Sequence, residues 1–496
     1  MSPESERLLA ASAVLAAYAV FCGLIFWRAA RRHRHAVPVA GAPGVPPMLV
    51  AYSSQTGFAE ELAQRTAAVL QAGSVPVQVS DVAQLDGAAL ALAGRALFLV
   101  STTGEGDAPD SAARFVRRVM GSEARLRGLD FGLLALGDSS YAQYCDFGRR
   151  LDTWLQAQGA RPLFDRIEVD NGAVDALQRW QAAVEGLAGA LSEAGSMAVP
   201  ETFSSWRLVE RRLLNPDGIG GPAFRLAFES VSGETGWQAG DIAVLEPRNA
   251  PEAVGAFLST AGADPSLAAT LATRQLPADP LLLAGLGPEA WLDRLPPLPR
   301  REYSIASIPE DGRVELVVRQ VRDADGALGI GSGWLTVHMP LGGEATLRLR
   351  PNQAFRAPPQ DVPLILIGNG TGIAGLRAHM HARLRAGRCR NWLLFGERSR
   401  ARDFLCGEEI EGWLADGGLA RLDLAFSREA PRRYVQDALR DAGEELRRWV
   451  DAGAVILVCG SLEGMAPAVH DVLVEALGED GMEALAAEGR YRRDVY

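Results

Sequence analysis

Apolar residues follow three different rhythms along this chain. Residues 8–27 form an almost unbroken apolar run without a charge, about the ~20 residues that cross a bilayer's hydrocarbon core. Arg28, Arg31, Arg32 and Arg34 follow at once, with His33 and His35 among them, while Glu4 and Glu6 precede the run. Positive charge on the C-terminal side predicts a single anchoring span within residues 1–35, with the rest of the chain in the cytoplasm. A cleaved signal peptide would instead carry its basic residues before a shorter apolar run. Residues 36–47 are rich in proline and glycine, which predicts a semi-extended tether between the membrane and the body.

The second rhythm runs through residues 48–195. Apolar strand-like runs at 48–52, 75–79, 96–101 and 131–136, with a weaker one near 162–169, alternate with amphipathic stretches at 59–71, 111–119, 148–158 and 174–191. That alternation predicts a doubly wound parallel sheet with its ligand at the carboxyl ends of the strands. The third rhythm, over 196–358, has shorter alternating pieces at 223–230, 237–245 and 314–321. It predicts an antiparallel barrel, interrupted by a short Leu/Ala/Pro-rich helical insert at about 250–298. From 359 to 496 the doubly wound pattern returns, with strands at 364–368, 391–395, 421–426 and 455–458. The expected fold class is therefore α/β multidomain, with an N-terminal transmembrane helix, two doubly wound sheets and a barrel between them.

The length of 496 residues suits about three domains. A net charge of -11 argues against a nucleic-acid partner, which would need phosphate-neutralising basic surface. Five cysteines and six histidines show neither Cys-x-x-Cys nor metal-ligand spacing, so the cysteines read as reduced and no metal site is expected.

Candidate chemistry sits at the strand ends. Ser53, Ser54, Gln55, Thr56 and Gly57 offer hydroxyls and N–H groups before a helix, an anion site without the lysine of a nucleoside-triphosphate loop. Thr102, Thr103, Gly104 and Gly106 follow one later strand, and Leu136, Gly137, Asp138, Tyr141 and Tyr144 end or follow another. The glycines let backbone approach a flat ring, and Tyr141 can stack on it. Glu105, Asp107, Asp110, Asp138 and Asp146 surround this site, either as a solvated face or as a docking surface. In the barrel, Arg301, Tyr303 and Ser304 supply a pyrophosphate ligand, a stacking aromatic and a hydroxyl. The turn containing Gly331, Ser332, Gly333 and Trp334 exposes N–H groups to the same pyrophosphate. Gly370, Thr371 and Gly372 form a second nucleotide loop. Ser427, Arg428, Arg432, Arg433, Tyr434 and Gln436 follow the strand at 421–426; a hydroxyl with clustered arginines favours a 2′-phosphate, hence NADPH over NADH.

Across 48–195 these motifs resemble the flavodoxin family, and Arg301–Ser307, Gly368–Gly375, Ser427–Gln436, Val458–Gly460 and Arg490–Tyr496 resemble the ferredoxin–NADP reductase superfamily. Together they resemble the diflavin reductases, of the NADPH–hemoprotein reductase and sulfite reductase flavoprotein types, with the C-terminal motifs closest to the latter. The resemblance implies FMN with its phosphate at Ser54–Gly57 and Tyr141 over the ring, FAD on the barrel, and electrons passing from NADPH through FAD and FMN to a haem or other metalloprotein. It further implies Ser304 at flavin N5, Cys459 against the nicotinamide, Asp494 stabilising developing positive charge, and Tyr496 stacked on FAD until the nicotinamide displaces it. Alternatives are the flavoprotein (alpha) subunit of a sulfite reductase, and a tethered flavin-binding redox sensor or assembly factor. Four departures stand out. Thr103 replaces a common stacking aromatic, and Asn369 and Gly375 replace prolines, which predicts a looser loop. The Ser427–Tyr434 spacing is one residue short, leaving open which arginine meets the phosphate. The short insert leaves interdomain geometry open.

Overall fold

The computed structural model describes residues 46–54, 57–103, 106–137, 139, 143–170, 173–189, 202–279, 290–291 and 294–496. The expected membrane span at 8–27 lies outside them; among the described residues no helix is long and apolar enough to cross a membrane.

Strand β1 (Met48–Ser53) is buried at every position but one, as a strand covered on both faces must be. It pairs in parallel with β2 (Val77–Asp81) and β3 (Arg95–Ser101). β3 continues to β4 (Asp130–Gly137), which carries β5 (Arg161–Pro162) and β6 (Ile167–Asp170). Alternate residues of each strand feed opposite cores. Met48, Val50, Leu97 and Leu99 meet the helix Val174–Ala188 through Trp180, while Leu49, Phe98, Val100 and Phe131 meet the helix Asp146–Ala157. The strand expected near 162–169 is two short pieces, and Pro162, which has no N–H to donate, ends the first. The helical stretch expected at 111–119 is present but irregular, tightening at Asp110–Ala112 and widening into a π-type turn at Val116–Met120.

The second sheet is antiparallel in the order β10-β9-β12-β7-β8-β11. Its strands are β7 (Ser204–Leu213), β8 (Ala223–Ser230), β9 (Ile242–Leu245), β10 (Arg301–Ser304), β11 (Val314–Arg319) and β12 (Glu344–Arg350). It closes into a barrel because Ile305, just past β10, bridges Leu316 of β11, and the Ala306 N–H donates to Glu315 O at 2.7 Å. The helix Pro251–Ala261 opens the insert, which packs on itself through Val254, Phe257, Leu258, Leu271, Trp291 and Leu295.

The third sheet is parallel, in the order β15-β14-β13-β16-β17. Its strands are β13 (Leu364–Asn369), β14 (Asn391–Glu397), β15 (Arg421–Phe426), β16 (Val455–Gly460) and β17 (Tyr491–Val495). A buried charge cluster joins it to the barrel. Arg377, on the helix Ile373–Arg385, is 5% exposed. It donates to the Ala306 carbonyl at 2.7 Å, to Glu315 at 2.7 Å and to Glu409 at 2.6 Å. His381, one helical turn on, bridges Asp311 at 2.9 Å and Glu409 at 2.8 Å. Burial alone would raise the Glu409 carboxyl, but hydrogen bonds from His381 and Arg377 bring it down to about 2. The first sheet is held differently, by ion pairs at its rim: Arg348 to Glu61 at 2.7 Å, and Arg114, Arg117 and Arg118 around Glu483. These contacts and the approach of Gly57 to Pro351 join the first sheet to the rest.

Arg377→Met should take from Glu315 and Glu409 the buried cation they share, leaving Glu315 only its partly exposed partner Arg313, and cost about 3–5 kcal/mol. Urea denaturation of the holoprotein, followed by the fluorescence of released FAD, would register the loss as a lower midpoint.

Candidate flavin and nicotinamide sites

The first site forms where β1 and β3 end. Ser53 is fully buried, with its Oγ 3.4 Å from Ser111 Oγ. Ser54 Oγ accepts the Ala59 N–H at 3.2 Å, which ties the loop to the first turn of the helix Phe58–Ala72. Gly57 caps that helix with φ 85°, a left-handed conformation suited to glycine. The Thr102 N–H donates to Leu136 O at 2.8 Å, tying the β3 loop to the end of β4. Thr103 pairs with Asp107. The hydroxyls of both threonines are buried without a partner among the described residues. Unpaired buried hydroxyls are costly, and two beside a helix N-terminus fit a phosphorylated, hydroxyl-bearing ligand such as FMN. Gly106 has φ 105° and packs on Gln143 and Asp146. Gly137 closes β4 against the Cys145 backbone. Tyr144 lies under the Arg149 guanidinium, 5.2 Å from its ring centre. Gln55, Thr56, Gly104, Glu105, Asp138 and Tyr141 lie outside the described residues. Of the acidic set, Asp146 pairs with Arg150 at 3.1 Å.

The second site lies on the barrel. Arg301 and Tyr303, two apart on β10, share one side of the strand and meet the turn at 329–333. A Cβ at Gly331 would lie 2.8 Å from Arg301 Cγ and 3.4 Å from the Tyr303 hydroxyl, so glycine keeps a cradle open that any side chain would fill. The arginine beside this glycine turn suits a pyrophosphate, which fits FAD. Ser332 Oγ accepts the Val321 N–H at 3.0 Å, which fixes the turn. Trp334 is placed differently, with its side chain 6% exposed in the barrel core; only its backbone faces the turn.

Between the barrel and the third sheet, three elements converge. Ser304 ends β10 and donates to Asp494 Oδ2 at 2.6 Å, and Cys459 Sγ lies 3.9 Å from the same oxygen. Cys459 and Asp494 are direct neighbours across β16 and β17. Burial pushes the Asp494 carboxyl up, against the Ser304 hydrogen bond. Burial, then the Asp494 charge, pushes the Cys459 thiol well up, so it stays protonated. Tyr496 is pinned by its backbone, its N–H donating to Gly460 O at 3.0 Å and its carbonyl accepting from Leu462 N–H at 2.9 Å. Its side chain stays half-exposed, with the hydroxyl 3.5 Å from Thr371 Oγ1.

The loop Gly370–Gly372 packs against β16 so closely that a Cβ at Gly372 would lie 2.1 Å from Cys459 O. Asn369 does not loosen this loop. Its Oδ1 accepts the Ser461 N–H at 3.0 Å and so ties β13 to the turn after β16. Gly375 is equally tight, since a Cβ there would meet Phe355 at 3.2 Å and Cys459 Sγ at 3.3 Å. At the end of β15, Ser427 Oγ donates to Glu397 O at 3.4 Å, and the Tyr434 N–H donates to Asp437 at 2.9 Å ahead of Gln436. Arg433 is paired with Asp441. Arg428 and Arg432 are exposed and make no ion pair among the described residues. Sequence reasoning missed Arg350, which is 2% exposed, pairs with Glu302, and acts on Asp494 to favour its charged form. It also missed Arg377. Neither carries a local signal, because burial of an arginine is visible only once its partners are placed.

Residues 50–181 match the family model described as Flavodoxin, and residues 366–471 match the one described as Oxidoreductase NAD-binding domain. The chain is 30% identical to a Bacillus subtilis protein over 553 residues, covering 92% of this chain and 90% of that protein. It is 29% identical to one from Vibrio cholerae, covering 90% and 87%, and 28% identical to one from Klebsiella pneumoniae, covering 95% and 94%. All three are named sulfite reductase (NADPH) flavoprotein alpha-component. The chain therefore belongs to the diflavin reductase family, as an NADPH-dependent flavoprotein oxidoreductase using FMN and FAD.

Proposed function

We propose that this reductase is anchored in the cell membrane by residues 8–27, faces the cytoplasm, and delivers electrons singly to a haem or other metalloprotein. The observation that carries its catalytic half is the convergence of Ser304, Cys459 and Asp494 within one buried contact. The apolar run and its arginines support the anchor. A second reading is favoured by the names of the relatives: this chain is the electron-supplying component of a sulfite-reducing assembly.

When bound, the two flavins supply hydride acceptance and one-electron release; the protein supplies position, exclusion of water and charge. In this reading the loop Gly370–Gly372 and the residues after β15 hold NADPH, with Arg428 and Arg432 on its 2′-phosphate and Ser427, Tyr434 and Gln436 beside them. The loops at Ser53–Gly57, Thr102–Gly106 and Leu136–Tyr144 hold FMN, and Arg301, Tyr303 and the turn at 329–333 hold FAD. Ser304 holds a hydroxyl at the flavin edge, and Cys459 gives the nicotinamide an uncharged thiol surface. Asp494 places a carboxylate where positive charge develops as hydride leaves the nicotinamide. Tyr496 would lie over the FAD ring face that the nicotinamide must reach. Its side chain is half-exposed and its hydroxyl makes a long 3.5 Å contact to Thr371 Oγ1, so it is free to swing aside.

Asp494 has a raised pKa, so its negative charge is present above that value and lost as pH falls through it. Stopped-flow reduction by NADPH should therefore slow as pH is lowered through that value. Asp494→Asn should be roughly 10²-fold slower and flat over the same range, with both flavins retained. Arg428→Ala and Arg432→Ala should each raise KM for NADPH while leaving KM for NADH unchanged, and Arg433→Ala should shift neither strongly; steady-state kinetics with both nucleotides decides this. For the anchor, the full chain should pellet with membranes and a form beginning at Met48 should not, while both reduce cytochrome c with NADPH. Recovery of the full chain in the soluble fraction, bound to a sulfite-reducing partner, would favour the second reading.

A further inference from the structure

Asn352 lies two residues beyond β12 and is fully buried, yet among the described residues neither its Nδ2 nor its Oδ1 has a hydrogen-bond partner. Its backbone is fixed: the N–H donates to Asp241 at 3.1 Å and the carbonyl accepts the Phe355 N–H at 3.0 Å. An orphaned buried amide costs a few kcal/mol, and such groups in folded proteins are nearly always satisfied. A Cβ at Gly57 would lie 3.3 Å from Pro351 O and 3.8 Å from Asn352 Cα, so the barrel touches the first sheet at its anion loop. Arg348, on the same strand, pairs with Glu61 in the helix that follows that loop.

We propose that Asn352 is the barrel's contribution to the FMN site, with Nδ2 donating to the phosphate and Oδ1 accepting from a ribityl hydroxyl. The inference rests on the reading that Ser53–Gly57 hold that phosphate. One orphan donor and one orphan acceptor match the phosphorylated polyol end of FMN, whereas the ring's dimethylbenzene edge offers neither. A neutral amide also leaves the Arg348–Glu61 pair undisturbed beside a dianion. The FMN pocket is then complete only while the two modules are docked, and FMN binding and docking stabilise each other.

The test is an FMN titration of the full chain, stripped of flavin and reloaded with FAD, read by quenching of FMN fluorescence. Asn352→Ala should weaken FMN about tenfold, the loss of roughly one hydrogen bond to a charged group. The isosteric Asn352→Asp should weaken it further, because a carboxylate faces the phosphate. FAD content should be unchanged in both. The 31P resonance of bound FMN should move in Asn352→Ala while that of the FAD pyrophosphate stays. In an Arg348→Ala background, which loosens docking, Asn352→Ala should add little. Equal FMN affinity in wild type and both variants would overturn the proposal and assign the amide to a buried water. Loss of FAD instead of FMN would also overturn it, placing the amide on the other flavin. Failure of the wild-type chain to bind FMN would remove the phosphate-loop reading itself, a different result from either.

Discussion

The Arg377 guanidinium is the contact on which the rest of the nucleotide half depends. It satisfies the Ala306 carbonyl, two residues past Ser304, and holds Glu315 of the barrel and Glu409 of the third domain together. The Ser304–Asp494 hydrogen bond spans the same boundary. A shift of one domain against the other would break it, since hydrogen bonds weaken steeply beyond about 3.2 Å. Burial makes the clamp unforgiving: each charge is tolerable only with its partners in place. A hydride donor and acceptor need that constraint, because misplacement by about 1 Å is costly to rate.

The first domain is attached by a different kind of contact. The Arg348–Glu61 pair is part-buried, but Glu479 is exposed and the arginines around Glu483 are about half-exposed. Such pairs are worth little individually and weaken with salt. One half of the molecule is thus locked by buried charge, and the other is docked by surface charge. Chemistry in the locked half needs fixed geometry. The proposed delivery of single electrons to a separate protein would need the docked half to present its cofactor edge, which a weak, screened interface permits.

Much of the site was legible in the residues. Hydroxyl-and-glycine loops after predicted strands, Arg301-x-Tyr303-Ser304 and the Gly370–Gly372 turn carry local physical signatures, and the structure brings Ser304, Cys459 and Asp494 within one contact. Substitutions read one at a time misled: Asn369, taken as a loosening of its loop, ties two strands together through its amide. Trp334, read as part of a ligand turn, fills the barrel core. In each case the side chain's partner lies far away in sequence, where no local pattern could name it.

By itself the sequence determined the three-domain order and the strand periodicities. It also determined the positions of the glycine- and hydroxyl-bearing loops after the strands, because those depend on burial period and backbone freedom within a few residues. Only the tertiary structure decided that Arg428 and Arg432 make no ion pair among the described residues while Arg433 is occupied, that Arg350 and Arg377 are buried, and that the Asn352 backbone lies beside Gly57 across a domain boundary. Those outcomes depend on which distant groups neutralise a charge or satisfy an amide, and the chain settles that only when its domains pack.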